Sequence, residues 1–164
     1  AKEQLLKIRP HIKRFSADRT SGDLLSGDLA LSQFWSGDAY RTILAGKKIG
    51  KNFRYIIPQE GASLWIDVMA IPVGAPNPKN AHKFVNFMLR PDIAAKLSNM
   101  TYAVTTVAES RKFIDQNLLR SDFLYPDPGI MESLRLDVPS TGDEGRAYDK
   151  ERLRIWAKVK QARF

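Results

Sequence analysis

Residues 77–97 read NPKNAHKFVNFMLRPDIAAKL and carry the clearest helical pattern in the chain. Asn77 and Pro78 suit the N-cap and first-turn positions of a helix. Apolar side chains then recur three, four, seven and eight residues after Ala81, which is the spacing of one helical face. Pro91 favours the start of a second helix that extends to about the end of the stretch. The sequence therefore predicts two helices that meet at an elbow.

The segment before this elbow has the pattern of a strand. Ser63–Pro72 is apolar and alternates with a period of two, which places Trp65, Asp67 and Met69 on one face. A carboxylate in the middle of a core strand is costly unless it has a partner. We therefore expect Asp67 to have one.

Further from the elbow, apolar runs alternate with helical patterns along the chain. Strands are predicted at 28–35, 53–57 and 101–106, and helices at 2–15, 36–44, 108–114 and after the capping-box sequence Thr141-Gly142-Asp143-Glu144. Alternating strands and helices indicate the α/β class. The order does not close into a complete doubly wound sheet, so the fold is expected to be incomplete.

Composition excludes several classes of protein. The chain has 164 residues, of which 43% are hydrophobic and 27% charged, and this excludes a disordered or fibrous protein. It has no cysteine, which excludes disulfides, thiol nucleophiles and cysteine-bound metals. No apolar run approaches the roughly 20 residues that cross a bilayer. The first residues lack both a Met and a signal-peptide pattern, and we interpret them as a cut end.

The net charge of +8 is confined to the two ends of the sequence. Residues 1–14 and 146–163 contain twelve Lys and Arg against three acidic residues, whereas residues 15–145 contain fourteen basic and fifteen acidic residues. Basic helices at chain ends are most often solvated faces. We therefore predict no nucleic-acid partner, although the charge alone would have suggested one.

The sequence offers little for catalysis. His11 and His82 are far apart in the sequence and fall on predicted helix surfaces, and neither belongs to a metal-binding or nucleophile motif. We predict no catalytic residue, no metal site and no cofactor. The remaining catalytic alternative is an enzyme that uses Asp38 or Asp67 as a general base.

Two tryptophan–aspartate pairs are the most informative residues. Ser36 is a predicted N-cap with Asp38 in the following turn, so Trp35 and Asp38 lie at a strand-to-helix junction. Trp65 and Asp67 share one face of the next strand. Singly, each has an ordinary explanation as a core indole or a helix-stabilising charge.

Together, these pairs favour recognition of an organic cation. Ligands bind at strand ends in open α/β sheets, where both pairs are predicted to lie. An indole face attracts an ammonium by about 0.5–2 kcal/mol. A carboxylate accepts charge-assisted hydrogen bonds worth about 1.5–3 kcal/mol.

Five segments also carry a family resemblance. They are FWSGDA (34–39), IPQEGA (57–62), LWIDVMAIP (64–72), FVNFMLRPD (84–92) and LYP (124–126). In this order they resemble the C-terminal half of the periplasmic spermidine/putrescine-binding proteins of bacterial ABC importers. The resemblance extends over nearly the whole chain, and WSGD and NFMLRPD are its most specific blocks.

The resemblance implies a binding site for a polyamine. Trp35 and Trp65 would sandwich the methylene chain of the ligand, and Asp38 and Asp67 would hold its amino groups. Tyr102 would line the same cleft. The implied partners are a small cationic solute and an inner-membrane ABC permease, and the implied location is the periplasm.

The resemblance also implies the fold of the type II periplasmic binding proteins, whose two lobes close about a hinge. Residues 1–66 and 113–164 would belong to the second lobe, and residues 67–112 would pack on the first. The N-terminal half of the family has no counterpart here, so the expected fold is the C-terminal half of a two-lobed protein.

Half a cleft is expected to bind polyamine weakly or not at all. The surface left without its first lobe also favours a homodimer. A binding protein of the same fold for another small solute is the main alternative, because specificity depends on cleft residues that are partly absent.

Overall fold

The computed structural model describes residues 2–15, 18–136 and 141–162. The chain divides into two compact units. The terminal unit consists of residues 1–32 and 137–164, and the central unit consists of residues 33–136. The five predicted site residues all lie in the central unit. Across the described ranges, no helix is both long enough and apolar enough to cross a membrane.

The terminal unit is helical. Its elements are α1 (Lys2–Ile8), a 3₁₀ helix (Arg9–His11), α2 (Thr20–Ser26) and α8 (Gly142–Gln161). The Arg9 guanidinium donates a hydrogen bond of 3.1 Å to the carbonyl of the buried Val159, and the rings of Phe15 and Trp156 meet edge to face at 5.0 Å. These contacts attach the N-terminal segment to α8.

The end of the chain follows the sequence pattern. Thr141 is the N-cap of α8, as its capping-box sequence predicts, although its side chain makes no capping hydrogen bond. Arg152 and Arg154 each pair with an acidic residue three positions earlier on the exposed surface of α8. This basic helix therefore has a solvated, internally paired face.

The central unit is rich in helices and contains one small sheet. Its elements are α3 (Ser36–Lys48), β1 (Ser63–Leu64), α4 (Pro78–Met88), α5 (Pro91–Thr101), a 3₁₀ helix (Ala108–Phe113), α6 (Gln116–Leu119), α7 (Pro128–Ser133) and β2 (Arg135–Leu136). The two strands are parallel, with Ser63 opposite Arg135 and Leu64 opposite Leu136.

The helix elbow is confirmed. Asn77 is the N-cap of α4 and Pro78 its first residue, and Pro91 begins α5, which extends to Thr101 instead of residue 97. Ala94 and Ala95 are buried on α5, whereas Phe84 on α4 remains 57% exposed. The predicted apolar face of α4 is therefore only partly covered by the described residues.

Most of the predicted strands are wrong. Among the described residues, 28–35, 53–57 and 101–106 form no strand, and Ser63–Pro72 forms one only at Ser63–Leu64. An extended segment becomes a strand only when another backbone pairs with it, and the described chain supplies such a partner only at β2. Residues 65–70 are consequently exposed on both sides, so the predicted buried face at Asp67 is also wrong.

The core of the central unit lies beneath the start of α3 and the end of α5. Its buried members are Ala95, Ile114, Leu118 and Leu124, and Tyr40, Tyr102, Leu119, Phe123 and Tyr125 pack against them. The Tyr55 ring packs on Phe123 at 4.8 Å, and its hydroxyl donates a 3.2 Å hydrogen bond to the carbonyl of Phe34. This bond fixes the segment that leads into α3.

Candidate functional site

Trp35 is held by the start of α3. It is the N-cap, with extended backbone, and its carbonyl accepts a 2.8 Å hydrogen bond from the Ala39 N–H. Ser36, the predicted N-cap, is instead the first residue of the helix. The Trp35 side chain is 56% exposed, so it is not a core residue of the described chain.

Trp65 lies directly after β1 and meets Trp35. The two ring centroids are 5.9 Å apart and the ring planes make an angle of 82°, which is an edge-to-face pair. Trp65 is 57% exposed. The structure therefore brings the two predicted indoles together on the surface. They touch each other, so one ring must turn before a ligand can lie between them.

Asp38 lies in the first turn of α3, one turn after Trp35. Its Oδ1 accepts a 3.3 Å hydrogen bond from Nη1 of Arg41, and both side chains are about half exposed. Asp38, which is predicted to hold an amino group of the ligand, is therefore already paired with the cationic side chain of Arg41.

Tyr102 joins the same group from the end of α5. It caps this helix in the left-handed conformation, with φ of 64°, and its N–H donates a 2.8 Å hydrogen bond to the Ser98 carbonyl. The Arg41 guanidinium lies 5.6 Å from the centre of its ring. Arg41 also donates a 3.5 Å hydrogen bond to the Thr101 carbonyl. A left-handed non-glycine residue is uncommon and draws attention to this position.

Gly37 explains why these residues meet. A Cβ at this position would lie 3.1 Å from the carbonyl oxygen of Tyr102 and 3.4 Å from that of Thr101. The start of α3 and the end of α5 therefore approach more closely than a larger residue would allow. Arg41 can therefore contact both Asp38 on α3 and Tyr102 at the end of α5.

Asp67 stands apart from the other predicted residues. It lies in the exposed segment after Trp65, and no hydrogen bond or ion pair connects its carboxylate to another described residue. The partner expected for it is therefore not found in the described part of the chain. Because Asp67 is exposed to water, its carboxylate has no desolvation cost that a partner would have to offset.

Trp35, Trp65 and Asp67 are exposed, and Asp38 and Tyr102 are partly exposed. A shallow concavity of about 650 Å³ exists elsewhere in the central unit, lined by residues such as Glu109, Arg111 and Gln116, and it contains none of the five. Among residues 2–15, 18–136 and 141–162, no three acidic or histidine side chains converge as a metal site.

Three residues of this site were not predicted: Gly37, Tyr40 and Arg41. The Tyr40 ring packs on the Tyr102 ring with 5.2 Å between their centroids. Burial raises the pKa of the Tyr40 hydroxyl, and the nearby Asp115 and Tyr102 raise it further, so this hydroxyl stays neutral at physiological pH. Arg41 follows Asp38 by three residues in the predicted helix, and this spacing could have predicted their ion pair. No pattern in the sequence could have identified the other two, because their importance depends on contact with α5.

Comparison with known proteins defines the class. The sequence profile of the bacterial extracellular solute-binding proteins matches residues 1–117. The chain belongs to this family.

Three curated relatives of the chain have names that state which solutes those proteins bind. The chain is 30% identical to the putrescine-binding periplasmic protein of Escherichia coli (strain K12) over 99% of its own length and 44% of that protein. It is 32% identical to spermidine/putrescine-binding periplasmic protein 1 of Haemophilus influenzae over 81% of its length and 36% of that protein. It is 27% identical to the putrescine/agmatine-binding protein of Pseudomonas aeruginosa (strain PAO1) over 98% and 43%.

These findings confirm the resemblance seen in the sequence. The relatives are named as binding proteins and not as enzymes, and two of the three names specify the periplasm. The chain spans less than half the length of each of them. These names give no support to the alternative of an enzyme that uses Asp38 or Asp67 as a general base.

Proposed function

We propose that this chain is part of a periplasmic binding protein that captures a linear polyamine and delivers it to an inner-membrane ABC permease. Putrescine and spermidine are the ligands that the names of its relatives suggest. No nucleic acid, metal or cofactor takes part in this function.

The observation that carries the proposal is the exposed Trp35–Trp65 pair, in which each indole is followed in the sequence by a carboxylate. Trp35 is three residues from Asp38, and Trp65 is two residues from Asp67. More than half of each indole is exposed, which is unusual for so large an apolar side chain. A polyamine has the matching chemistry, because its methylene chain suits indole faces and its ammonium groups suit carboxylates.

Each residue takes a separate role in this proposal. Asp67 is the main anchor for one ammonium group, because it has no internal cation among the described residues. Asp38 receives the second ammonium beside the face of Tyr102. Trp35 and Trp65 enclose the methylene chain after one ring turns away from the edge-to-face contact.

The fold that we propose for the complete protein is the two-lobed type II binding-protein fold, with this chain as its C-terminal half. Residues 1–66 and 113–164 belong to the second lobe, and residues 67–112 pack on the first. In support, residues 67–112 include exposed large apolar side chains that need a cover: Val68, Met69, Val73, Phe84, Phe87, Leu89, Leu97, Met100 and Val104. A second support is the segment 65–72 after β1, which pairs with no other strand among the described residues.

The isolated 164-residue chain is expected to bind weakly. Two carboxylate and two aromatic contacts supply roughly 4–10 kcal/mol in total. Association itself costs about 4–15 kcal/mol, and micromolar affinity requires about 8 kcal/mol net. Residues outside this chain must therefore contribute to a functional site. A second copy of the chain that covers the exposed apolar surface is the alternative, and sedimentation of the isolated chain distinguishes a homodimer from a monomer.

Calorimetry of the complete protein tests the proposal. We expect putrescine or spermidine to bind at micromolar concentration or below, and 1,4-butanediol, which has the same chain length as putrescine without its charges, not to bind. Strong binding of the diol would contradict the carboxylate roles. Binding of neither polyamine, together with binding of another small solute, would favour the alternative ligand class on the same fold.

A further inference from the structure

Arg41 occupies the groups that the proposed function assigns to the ligand. Its guanidinium lies 3.3 Å from the Asp38 carboxylate and 5.6 Å from the centre of the Tyr102 ring. A carboxylate and an aromatic face are the features that attract a ligand ammonium. The Thr101 carbonyl, at 3.5 Å, completes a small site that is filled by a side chain of the protein itself.

We infer that Arg41 lowers the affinity for the ligand by competing with a ligand ammonium for Asp38. The inference rests on the proposed function and goes beyond it, because it assigns unequal strengths to the two carboxylates. A polyamine binds at Asp67 without displacing anything among the described residues, whereas at Asp38 it must displace or accept a neighbouring positive charge. A ligand with two ammonium groups therefore binds less tightly than it would if Asp38 were unpaired.

The exposure of Asp38 and Arg41 determines how much the affinity for the ligand changes when the charge of Arg41 is removed. The Asp38 and Arg41 side chains are 46% and 56% exposed, so water screens their attraction and the pair is easily opened. The displaced guanidinium then repels the ligand through solvent of high dielectric constant. Each contribution corresponds to a few-fold change in affinity, and together they predict a gain of about 3- to 10-fold when the charge of Arg41 is removed.

Arg90 offers a matched control. It pairs with Asp92 at 2.9 Å, lies 5.7 Å from the centre of the Phe87 ring and is 57% exposed. Arg90→Gln thus removes the same charge from a similar exposed carboxylate–aromatic environment that contains none of the proposed ligand-binding residues. It corrects for the change in the net charge of the protein.

The experiment is calorimetry of putrescine binding to the complete wild-type protein and to its Arg41→Gln, Arg41→Lys and Arg90→Gln variants. We expect Arg41→Gln to bind about 3- to 10-fold more tightly, with Arg41→Lys and Arg90→Gln within twofold of wild type. Arg41→Lys keeps the charge and the aliphatic stem, so it separates competition by charge from a change in packing.

The other outcomes also decide the question. If wild type binds putrescine and Arg41→Gln binds equally or more weakly, the inference is overturned while the proposed function stands. If Arg90→Gln gains as much as Arg41→Gln, the effect belongs to net charge and the inference is again overturned. If wild type and both Gln variants fail to bind any polyamine, the proposed function fails and the inference fails with it.

Discussion

Replacement of Gly37 by alanine tests the close approach that builds the site. Gly→Ala in a helix normally stabilises a protein by about 0.4–1 kcal/mol, because it reduces the entropy of the unfolded chain. At Gly37 the new Cβ would lie 3.1 Å from a carbonyl oxygen of the backbone at Tyr102, so α3 or α5 must shift by a few tenths of an ångström. Overpacking of this kind costs about 1–3 kcal/mol. We therefore expect Gly37→Ala to lower the free energy of unfolding by about 0–2.5 kcal/mol.

Gly22 supplies the control for this prediction. It lies in α2, and a Cβ added there meets no atom within 4 Å, so Gly22→Ala should show the stabilisation alone. We expect urea denaturation of the complete protein to rank Gly37→Ala about 1–3 kcal/mol below Gly22→Ala, with unchanged m-values. Equal stabilisation by both substitutions would refute the close contact between α3 and α5.

Two further predictions concern the indole pair and the sheet. Trp35→Ala should lower putrescine affinity by about 2- to 30-fold, because contact of the indole face with the cationic polyamine chain is worth about 0.5–2 kcal/mol. The far-ultraviolet circular dichroism should stay unchanged, and loss of folding would show that Trp35 is a structural residue. Gly61→Ala should destabilise the protein by at least about 2 kcal/mol more than Gly50→Ala in urea denaturation. Both glycines have positive φ, but only at Gly61 does the added Cβ also collide with the Ser133 carbonyl, whereas space is open at Gly50. Similar losses at both positions would contradict the contact that brings β1 towards β2.

Local patterns predicted the helices of the elbow well, because their signals lie within the segment itself. The N-cap Asn77, the first residue Pro78 and the apolar spacing of α4 require no partner to be recognised. The short helices α6 and α7 were missed, although Asp115 and Asp127 cap them by accepting hydrogen bonds from Asn117 and Ile130. Four to six residues are too few to display a helical period.

Strands could not be predicted from their own sequence in the same way. The pattern of Ser63–Pro72 records a preference for extended backbone, but pairing depends on β2, which lies far away in the sequence. The candidate site shows the same limit. The two Trp–Asp pairs were visible in the sequence. The position of the Arg41 side chain between Asp38 and Tyr102, in contrast, depends on how α3 packs against the end of α5.

We propose that Asp67 anchors one ammonium group of a polyamine, and calorimetry of the Asp67→Ala variant of the complete protein tests this role. A lost charge-assisted contact of about 1.5–3 kcal/mol predicts a fall in putrescine affinity of at least about tenfold. Glu60→Ala, which removes an exposed acidic residue from the turn at residues 58–61, should leave affinity within twofold. An unchanged affinity in Asp67→Ala would contradict the account.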